Sequence, residues 1–333
     1  MKTVFIDSMN QLPETTTDIW SKFYNVMFNT GNLVFNEYCK RELKYEDVYK
    51  IGRCWEDASR DQVYVLPLSN NLSIEDTYFT RMLYRIAKYN LNIVPVGLGV
   101  QANLGDSPKE FVKRLPGRKI RLFQKMAANT TTLGVRGSFT AECLRYIGIH
   151  NVRVIGCPSF YGNLISKESC NVHLNVPKSK KVCINWDFNS KDAFESVNES
   201  IEIKKVIQTM PEWIKWKNDE LRDSEIFFSI DDWSKWIREN KFAIAVGNRF
   251  HGNMICYLNG IPTFWIAKDN RILELADTLG LPSRILGKRK CDINDFLENN
   301  FYTDDFYQKR RSLRDEYIHF LNENRICHKF EME

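Results

Sequence analysis

The chain has 333 residues, of which 43% are hydrophobic and 27% are charged. At about 150 residues per domain, this length predicts two domains, each large enough to bury its own core. With only 16 glycines and 10 prolines, the composition excludes collagen-like, low-complexity and disordered chains. The net charge of +5 is too small over this length to indicate nucleic-acid binding.

The cysteines and the N-terminal residues favour a reducing compartment. None of the nine cysteines belongs to a C-x-x-C pair, and several lie in apolar runs, such as residues 182–184 and 255–257. This usage is typical of buried thiols rather than of disulfides or a zinc site. The chain meets an acid at Asp7, too early for a signal peptide, and no apolar run approaches the ~18 residues of a membrane span. We therefore expect a cytoplasmic protein, with at most peripheral contact at the inner face of the membrane.

In the first half, short apolar runs alternate with helical patterns, which predicts a parallel sheet with crossover helices. The predicted strands span residues 62–68, 93–97, 132–135 and 152–155. Residues 138–147 have the apolar spacing of a helix packed on a sheet, with Ser138 or Thr140 available to cap its start and Gly148 at its end.

A polar stretch at residues 162–181 interrupts this pattern, and the alternation then starts again. The second set of predicted strands spans residues 182–186, 226–230, 243–246 and 263–266. We predict an α/β protein with two doubly wound, Rossmann-like domains that face a central cleft. The N-terminal α/β domain is expected at 1–175, the second at 176–302, and a C-terminal helix that crosses back to the first domain at 303–333.

The strongest chemical signal is the segment Asn-Arg-Phe-His-Gly at residues 248–252, between an apolar strand and an apolar helix. Ligands bind at the carboxyl ends of parallel strands, where a helix N-terminus offers unpaired N–H groups and a partial positive charge. Arg249 and His251 therefore predict an anion site. The alternative, a surface ion pair for Arg249 and a local helix-start role for His251, explains less well why polar residues interrupt two apolar elements.

Arg136 stands in a similar position, after the predicted strand at 132–135 and before a helix. Taken alone, an ion pair with an acid such as Glu142 is the simpler interpretation. Together with Arg249, it predicts two facing domains that each present one arginine to a shared cleft, which suits a small dianion. Arg271 could reach the same ligand, although a solvated charge at a helix start is the simpler explanation.

At these residues the sequence resembles the polysaccharide pyruvyl transferase family. The likeness runs from about residue 25 to residue 285. It is carried by residues 135–140 with Leu144 and Gly148, by 154–159, by 248–252 leading to 259–263, and more faintly by 29–32.

The resemblance implies a GT-B-like fold and a transferase that moves the pyruvyl group of phosphoenolpyruvate to two hydroxyls of a sugar. The product would be a cyclic ketal on an exopolysaccharide, a capsule or a lipid-linked precursor, with release of phosphate. By motif, Arg136, Arg249 and His251 would bind phosphoenolpyruvate. His251 would also be catalytic, since its ordinary pKa near 6.5 suits protonation of the methylene or a hydrogen bond to the leaving phosphate.

The expected partners are phosphoenolpyruvate and a sugar or lipid-linked acceptor, without nucleic acid, metal or other cofactor. Asn32 and Gln101 are the candidate acceptor-binding residues. The chain departs from the family near its start, where Asp7 leads through residues 15–17 to a helix, and this leaves the acceptor contacts open. Asp7, Asp106 and Asp187 are candidate bases for the sugar hydroxyls, and nothing in the sequence ranks them.

Two alternatives remain. One is a GT-B glycosyltransferase whose arginines hold a nucleotide-sugar diphosphate, and the other is a non-catalytic glycan- or anion-binding protein of the same fold. Two W-x-x-W pairs, at residues 213–216 and 233–236, are interpreted as packing, with sugar stacking as the alternative. The basic runs at 288–290 and 309–311 are interpreted as solvated faces, with attraction to an anionic membrane as the alternative.

Overall fold

The computed structural model describes residues 1–9, 17–52, 55–76, 78–170, 173–174, 179–187, 200–216, 224–287 and 291–331. The strands are β1 Lys2–Asp7, β2 Asp47–Lys50, β3 Gln62–Pro67, β4 Asn92–Val96, β5 Leu133–Val135, β6 Val152–Val154, β7 Lys181–Asn185, β8 Glu202–Val206, β9 Ser224–Glu225, β10 Ile244–Gly247, β11 Thr263–Ala267 and β12 Ser283–Ile285. The helices of the first half are α1 Ile19–Asn25, α2 Gly31–Glu42, α3 Tyr78–Ile86, α4 Pro108–Lys113, α5 Gly117–Ala128, α6 Ser138–Tyr146 and α7 Lys167–Cys170. Those of the second half are α8 Met210–Trp216, α9 Ile230–Asn240, α10 Phe250–Leu258, α11 Asn270–Leu279, α12 Ile293–Glu298 and α13 Asp304–Glu323. Two 3-10 turns add Ala87–Tyr89 and Pro158–Tyr161.

The first half contains a parallel sheet in the order β2-β1-β3-β4. The parallel pair β5-β6 extends this sheet, because Leu98, just after β4, bridges to Val135 and donates its N–H to Gly134 O at 3.0 Å. The strands predicted over 62–68, 93–97, 132–135 and 152–155 are confirmed as β3 to β6.

The second half contains a parallel sheet in the order β12-β11-β10-β7-β8-β9. The strands predicted at 182–186, 243–246 and 263–266 are confirmed as β7, β10 and β11. The prediction of a strand at 226–230 is wrong. Its apolar side chains Ile226 and Phe228 instead pack from a loop onto a small core around α1, and Ser229 caps the start of α9 through a bond from Asp232 N.

Alternation along the strands places apolar side chains on both faces of each sheet, so helices cover both faces. Val4 and Ile6 belong to a core on one face of the first sheet, whereas Phe5 belongs to a central core. That central core also contains Cys183 and Trp265 from the second sheet, so it joins the two halves. The α/β class with two doubly wound units is confirmed, and the boundary expected at 175–176 lies outside the described residues.

The long helix α13 follows the second sheet in sequence and packs against the first half. Arg314 Nε donates to Leu164 O at 2.7 Å, and Tyr317 OH donates to Glu42 at 3.0 Å. The expectation of a solvated face at 309–311 is wrong for Arg310, which is 5% exposed and contacts Tyr257 OH. The basic run at 288–290 lies outside the described residues.

Trp213, Trp233 and Trp236 pack as predicted. Trp233 is fully buried and stacks on Phe227 at 5.5 Å, and Trp213 meets Trp20 edge-on at 5.6 Å. Nothing is described for the side chain of Trp216. Across the described ranges, none of the helices has both the length and the apolar composition required to cross a bilayer.

Candidate functional site

The segment predicted as an anion site lies where β10 meets α10, at the carboxyl edge of the second sheet. Arg249 is the N-cap residue of α10 in extended conformation, so the N-terminus of the helix opens at the strand end. Asn253, one turn further, fixes the helix by donating to Gly247 O at 3.0 Å and to Phe264 O at 3.1 Å. The local sequence therefore produces the strand–turn–helix expected of a ligand site.

Gly252 permits a close approach at this helix start. A Cβ atom there would lie 2.2 Å from Gln208 Nε2 and 2.5 Å from Asn185 Oδ1. Any side chain would therefore displace two buried amides that face the first turn of α10.

Arg249 is held from one side by an acid. Its Nη2 pairs with Glu212, whose other oxygen accepts from Gln208 N at 2.8 Å and Thr209 N at 2.9 Å. The Nε of Arg249 is buried and has no hydrogen-bond partner in the part of the chain that the structure describes. The guanidinium is thus fixed in place with one donor unused.

Arg136 is only 3% exposed. Its Nε donates to Gly97 O at 2.9 Å and its Nη1 to Asn70 Oδ1 at 2.7 Å, so neutral groups rather than Glu142 hold it. Its Nη2 is buried, and none of the described residues forms a hydrogen bond with it. No acid forms an ion pair with Arg136 among the described residues, and its positive charge is available to an anion.

His251 occupies the first turn of α10, with its ring 5.2 Å from the ring of Phe35 and Nε2 3.5 Å from Cys157 Sγ. Burial and the charges of Arg136 and Arg271 hold the pKa of His251 well below its usual 6.5. In the protein without ligand, the imidazole of His251 therefore favours its neutral form more strongly than a free histidine does. Burial also raises the pKa of Cys157, which keeps that thiol protonated.

Arg271 lies in the first turn of α11 and pairs with Asp269 through Nη2 at 2.7 Å. The same carboxylate caps the helix by accepting from Ile272 N at 3.3 Å. Arg271 thus lies at a helix start, as the simpler of the two sequence interpretations predicted. It also lines the cleft that is described in the next paragraph.

A cleft of about 70 Å³ between the two halves brings together four of the residues singled out from the sequence, Arg136, Arg249, His251 and Arg271. Sequence reasoning assigned no role to four further amides of its wall: Asn29, Asn70, Gln208 and Asn248. Asn248 lies within the recognised motif, and Asn70 follows a predicted strand. Gln208 follows β8, a strand that was not predicted.

A second, larger cavity of about 440 Å³ opens beside this cleft, on the side of the first half. Asn32 lines both cavities, whereas Gln101 lines only the larger one. The two candidate acceptor residues thus share one cavity, next to the arginine cleft.

The candidate bases are engaged elsewhere. Asp7 pairs with Lys50, Asp106 with Arg114 at 2.7 Å, and Asp187 with Lys268. None of the three is among the residues that line either cavity. Within the described ranges, no three His, Cys, Asp or Glu side chains are placed to share a metal ion.

Comparison with solved structures supports the architecture. The UDP-GlcNAc 2-epimerase of Methanocaldococcus jannaschii, in complex with UDP-GlcNAc and UDP, aligns with a TM-score of 0.50 at 10% identity, covering 97% of this chain and 99% of that one. The UDP-GlcNAc 2-epimerase of Neisseria meningitidis bound to UDP-GlcNAc gives a TM-score of 0.46 at 8% identity, covering 97% and 99%. An uncharacterized protein of Klebsiella pneumoniae aligns with a TM-score of 0.46 at 12% identity, covering 88% of this chain and 92% of that one. The alignment with a TM-score of 0.50 confirms the GT-B-like fold.

Sequence comparison identifies the family. No curated protein matches the chain at a significant level. The family model for polysaccharide pyruvyl transferase matches residues 19–270, which includes Arg136, Arg249 and His251. The chain therefore belongs to the polysaccharide pyruvyl transferase family.

Proposed function

We propose that this protein transfers the pyruvyl group of phosphoenolpyruvate to two hydroxyls of a sugar, forming a ketal and releasing phosphate. One observation carries the proposal: among the described residues, the buried donors Arg136 Nη2, Arg249 Nε and Gln208 Nε2 have no hydrogen-bond partner, and all three residues line one cleft. Each such donor lowers the free energy of unfolding by about 1–3 kcal/mol when it is left unpaired. A ligand with several acceptor oxygens would satisfy them together.

The charge of the cleft favours a small anion. Arg249 and Arg271 are paired with acids, but Arg136 is not, and the N-terminus of α10 adds a partial positive charge. Phosphoenolpyruvate carries both a carboxylate and a phosphate, which arginine donors can bind in parallel pairs.

The volume also favours a small ligand. A cleft of about 70 Å³ has room for roughly five or six water molecules, since each needs about 10–15 Å³. A three-carbon phosphorylated acid is of that order, whereas a nucleotide sugar is several times larger. The cleft by itself therefore suits phosphoenolpyruvate better than a whole nucleotide sugar, which would also need the adjoining cavity of about 440 Å³.

The proposed chemistry proceeds by proton transfer and substitution at C2 of phosphoenolpyruvate. Protonation of the methylene carbon makes C2 cationic, and one sugar hydroxyl adds there and loses its proton. The C2–O bond to phosphate then breaks, and the second hydroxyl adds and loses its proton. The two hydroxyl protons balance the one gained by the methyl group and the one carried away by hydrogen phosphate.

His251 is the proposed acid. The negative charge of bound phosphoenolpyruvate would offset the charges of Arg136 and Arg271, which lower the pKa of His251 in the empty cleft. The imidazole would then take up a proton as the donor binds and deliver it to the methylene carbon.

Acceptor-dependent phosphate release tests the proposal. The protein is incubated with phosphoenolpyruvate and a panel of glycosides, and phosphate and the pyruvylated sugar are measured. Release that requires the acceptor is expected. Calorimetric binding of UDP-sugars without any response to phosphoenolpyruvate would favour the glycosyltransferase. Binding of phosphoenolpyruvate without turnover of any acceptor would favour a non-catalytic binding protein.

A further inference from the structure

We propose that the cavity of about 440 Å³ beside the arginine cleft binds the acceptor as an uncharged sugar, a neutral hexose or an N-acetylated one, and discriminates against uronic acids and sugar phosphates. This inference rests on the proposed function and adds to it the place and the charge class of the acceptor. The volume lies within the ~300–1,000 Å³ of small-molecule sites.

The position of the cavity places an acceptor next to the donor. Four residues, Asn29, Asn32, Ser69 and Asn70, line both cavities and form their shared wall. Asn70 also accepts from Arg136 Nη1 at 2.7 Å, so the same side chain contacts the anion-binding arginine and the larger cavity. Two hydroxyls of a sugar in this cavity would face a ligand in the cleft, as a ketal-forming reaction requires.

The polar wall is made of amides and hydroxyls. Asn29 Oδ1 accepts from Gly31 N at 2.9 Å, and Asn32 Nδ2 donates to Val26 O at 3.0 Å. Each asparagine thus commits one amide atom to the backbone, which fixes its orientation and leaves the other for a ligand. Amides both donate and accept, and this matches sugar hydroxyls.

The charge class follows from the lining. Of the fourteen described residues around the cavity, none is an Asp, Glu, Lys, Arg or His. A carboxylate or phosphate on the sugar would lose water there without meeting a cation among these fourteen residues, and this desolvation is costly. A neutral sugar meets no such cost.

Two aromatic rings at the rim suit the apolar face of a sugar ring. Tyr24 and Phe28 are 46% and 44% exposed, with ring centroids 6.1 Å apart in an edge-on arrangement. Both line the cavity. Amphipathic binding sites commonly use such rings, because they offer large contact area at low conformational cost.

The backbone that carries Phe28 is strained. Met27 and Phe28 have φ angles of 54° and 62°, a conformation uncommon for residues other than glycine. Phe28 N donates to Phe23 O at 2.7 Å, which closes the turn. Strain of this kind persists where the surroundings enforce it and is concentrated at functional sites. Here it holds a large aromatic side chain at the mouth of a cavity.

The test uses the full chain and defined probes: the methyl glycosides of glucose, galactose and N-acetylglucosamine, with methyl glucuronide as the charged analogue. Saturation-transfer NMR measures their binding with and without phosphoenolpyruvate, and calorimetry measures phosphoenolpyruvate in the same samples. We expect at least one neutral glycoside to bind, and the glucuronide to bind more weakly than every glycoside that does.

Phe28→Ala is expected to weaken the binding of neutral glycosides about 5- to 10-fold, because roughly one aromatic contact is lost. It should leave the binding of phosphoenolpyruvate unchanged. Tyr24→Ala provides a second rim variant in case Phe28→Ala does not fold. Tyr146→Ala is the matched control, because Tyr146 is 56% exposed on α6 and lines neither cavity.

Three results would overturn the inference: no saturable binding of any neutral glycoside, glucuronide binding as tight as that of its neutral relatives, or rim variants that behave like Tyr146→Ala. Failure of the proposed function looks different. There phosphoenolpyruvate would not bind, while the glycosides would still bind and respond to Phe28→Ala.

Discussion

The carboxylate of Glu274 on α11 accepts hydrogen bonds from Thr140 N at 2.6 Å and Thr140 Oγ1 at 2.9 Å, in the first turn of α6. This contact caps α6 from the other half of the molecule, because the N-cap residue Gly137 has no side chain to do so. The prediction that Ser138 or Thr140 caps α6 is therefore wrong, because the capping group is the carboxylate of Glu274, to which Thr140 donates. Gly137 directly follows Arg136, so the contact also positions the cleft.

Glu274→Gln should destabilise the protein by about 1–3 kcal/mol, because the new amide group faces a buried donor. We also expect weaker binding of phosphoenolpyruvate, since α6 and Arg136 would shift together. Denaturant unfolding and calorimetry measure the two effects. Glu142→Gln, on the exposed side of α6, is the matched control. Stability and affinity equal to those of the control would show that the cap has no such role.

Arg136→Lys should weaken phosphoenolpyruvate binding by roughly 10- to 100-fold, because a lost hydrogen bond to a charged group costs about 1.5–3 kcal/mol of binding free energy. A lysine ammonium cannot replace the separate bonds from Nε to Gly97 O and from Nη1 to Asn70 while also reaching a ligand. Calorimetric titration checks this, with Arg145→Lys on the exposed face of α6 as the control. Unchanged affinity would remove Arg136 from the site.

Binding of phosphoenolpyruvate should be accompanied by proton uptake near pH 7. The depressed pKa of His251 leaves the imidazole neutral in the empty cleft, and an anion that offsets Arg136 and Arg271 would raise that pKa. The apparent binding enthalpy should then differ between two buffers of different ionisation enthalpy. His251→Asn should reduce the difference, whereas His150→Asn, at an exposed position, should not. Equal proton uptake in the wild type and His251→Asn would contradict the mechanism.

His251→Ala should lower turnover by ~10²-fold or more if the imidazole is the acid. Initial rates of phosphate release at saturating phosphoenolpyruvate measure this effect. Near-normal turnover with a raised requirement for phosphoenolpyruvate would instead assign His251 to binding.

Glu42→Gln should stabilise the protein increasingly as the pH rises above about 5. Burial raises the pKa of Glu42 well above 4.5, while Tyr317 OH donates to its carboxyl group at 3.0 Å. Above the unfolded-state pKa, the unfolded chain loses a proton that the folded chain keeps, so the free energy of unfolding falls with pH. Glutamine does not titrate, so it removes this decrease in the free energy of unfolding, and its side-chain oxygen can still accept the hydrogen bond from Tyr317 OH.

Guanidinium unfolding between pH 5 and pH 9 follows the effect of Glu42→Gln. Glu37→Gln is the control, because Glu37 lies on the same helix in a partly exposed ion pair with Arg41 and should change stability by at most ~1 kcal/mol. A variant that is less stable than the wild type by the same amount at every pH would indicate an ionised Glu42.

The sequence predicted those parts of the fold whose signal is local. The apolar runs of β10 and β11 and the motif between them identified the turn that carries Arg249 and His251. The strand β8 was missed because its residues Glu202–Val206 are mostly charged and half-exposed, and Gln208 was missed with it. An apolar run had the opposite effect at 226–230, where four of the five residues are apolar and a strand was predicted, but the structure has a packed loop that leads into α9.

Long-range contacts were beyond prediction for a physical reason. Asn70 reaches Arg136 from a strand end 66 residues away, and Glu274 reaches Thr140 across 134 residues. No local spacing encodes such pairs. The low pKa of His251 has the same origin, because it depends on two arginines brought close by other elements.

The return of α13 to the first half has a consequence for catalysis. Arg314 is tied to Leu164 O in the first half, and Arg310 contacts Tyr257 OH on α10 in the second, so α13 bonds to both halves. Together with the bonds between Glu274 and Thr140, these contacts join the halves that carry Arg136 and Arg249 in the absence of a ligand. The conformational entropy of assembling the donor site is then lost during folding rather than during each binding event. The site is preorganised by a helix that contributes no residue to it.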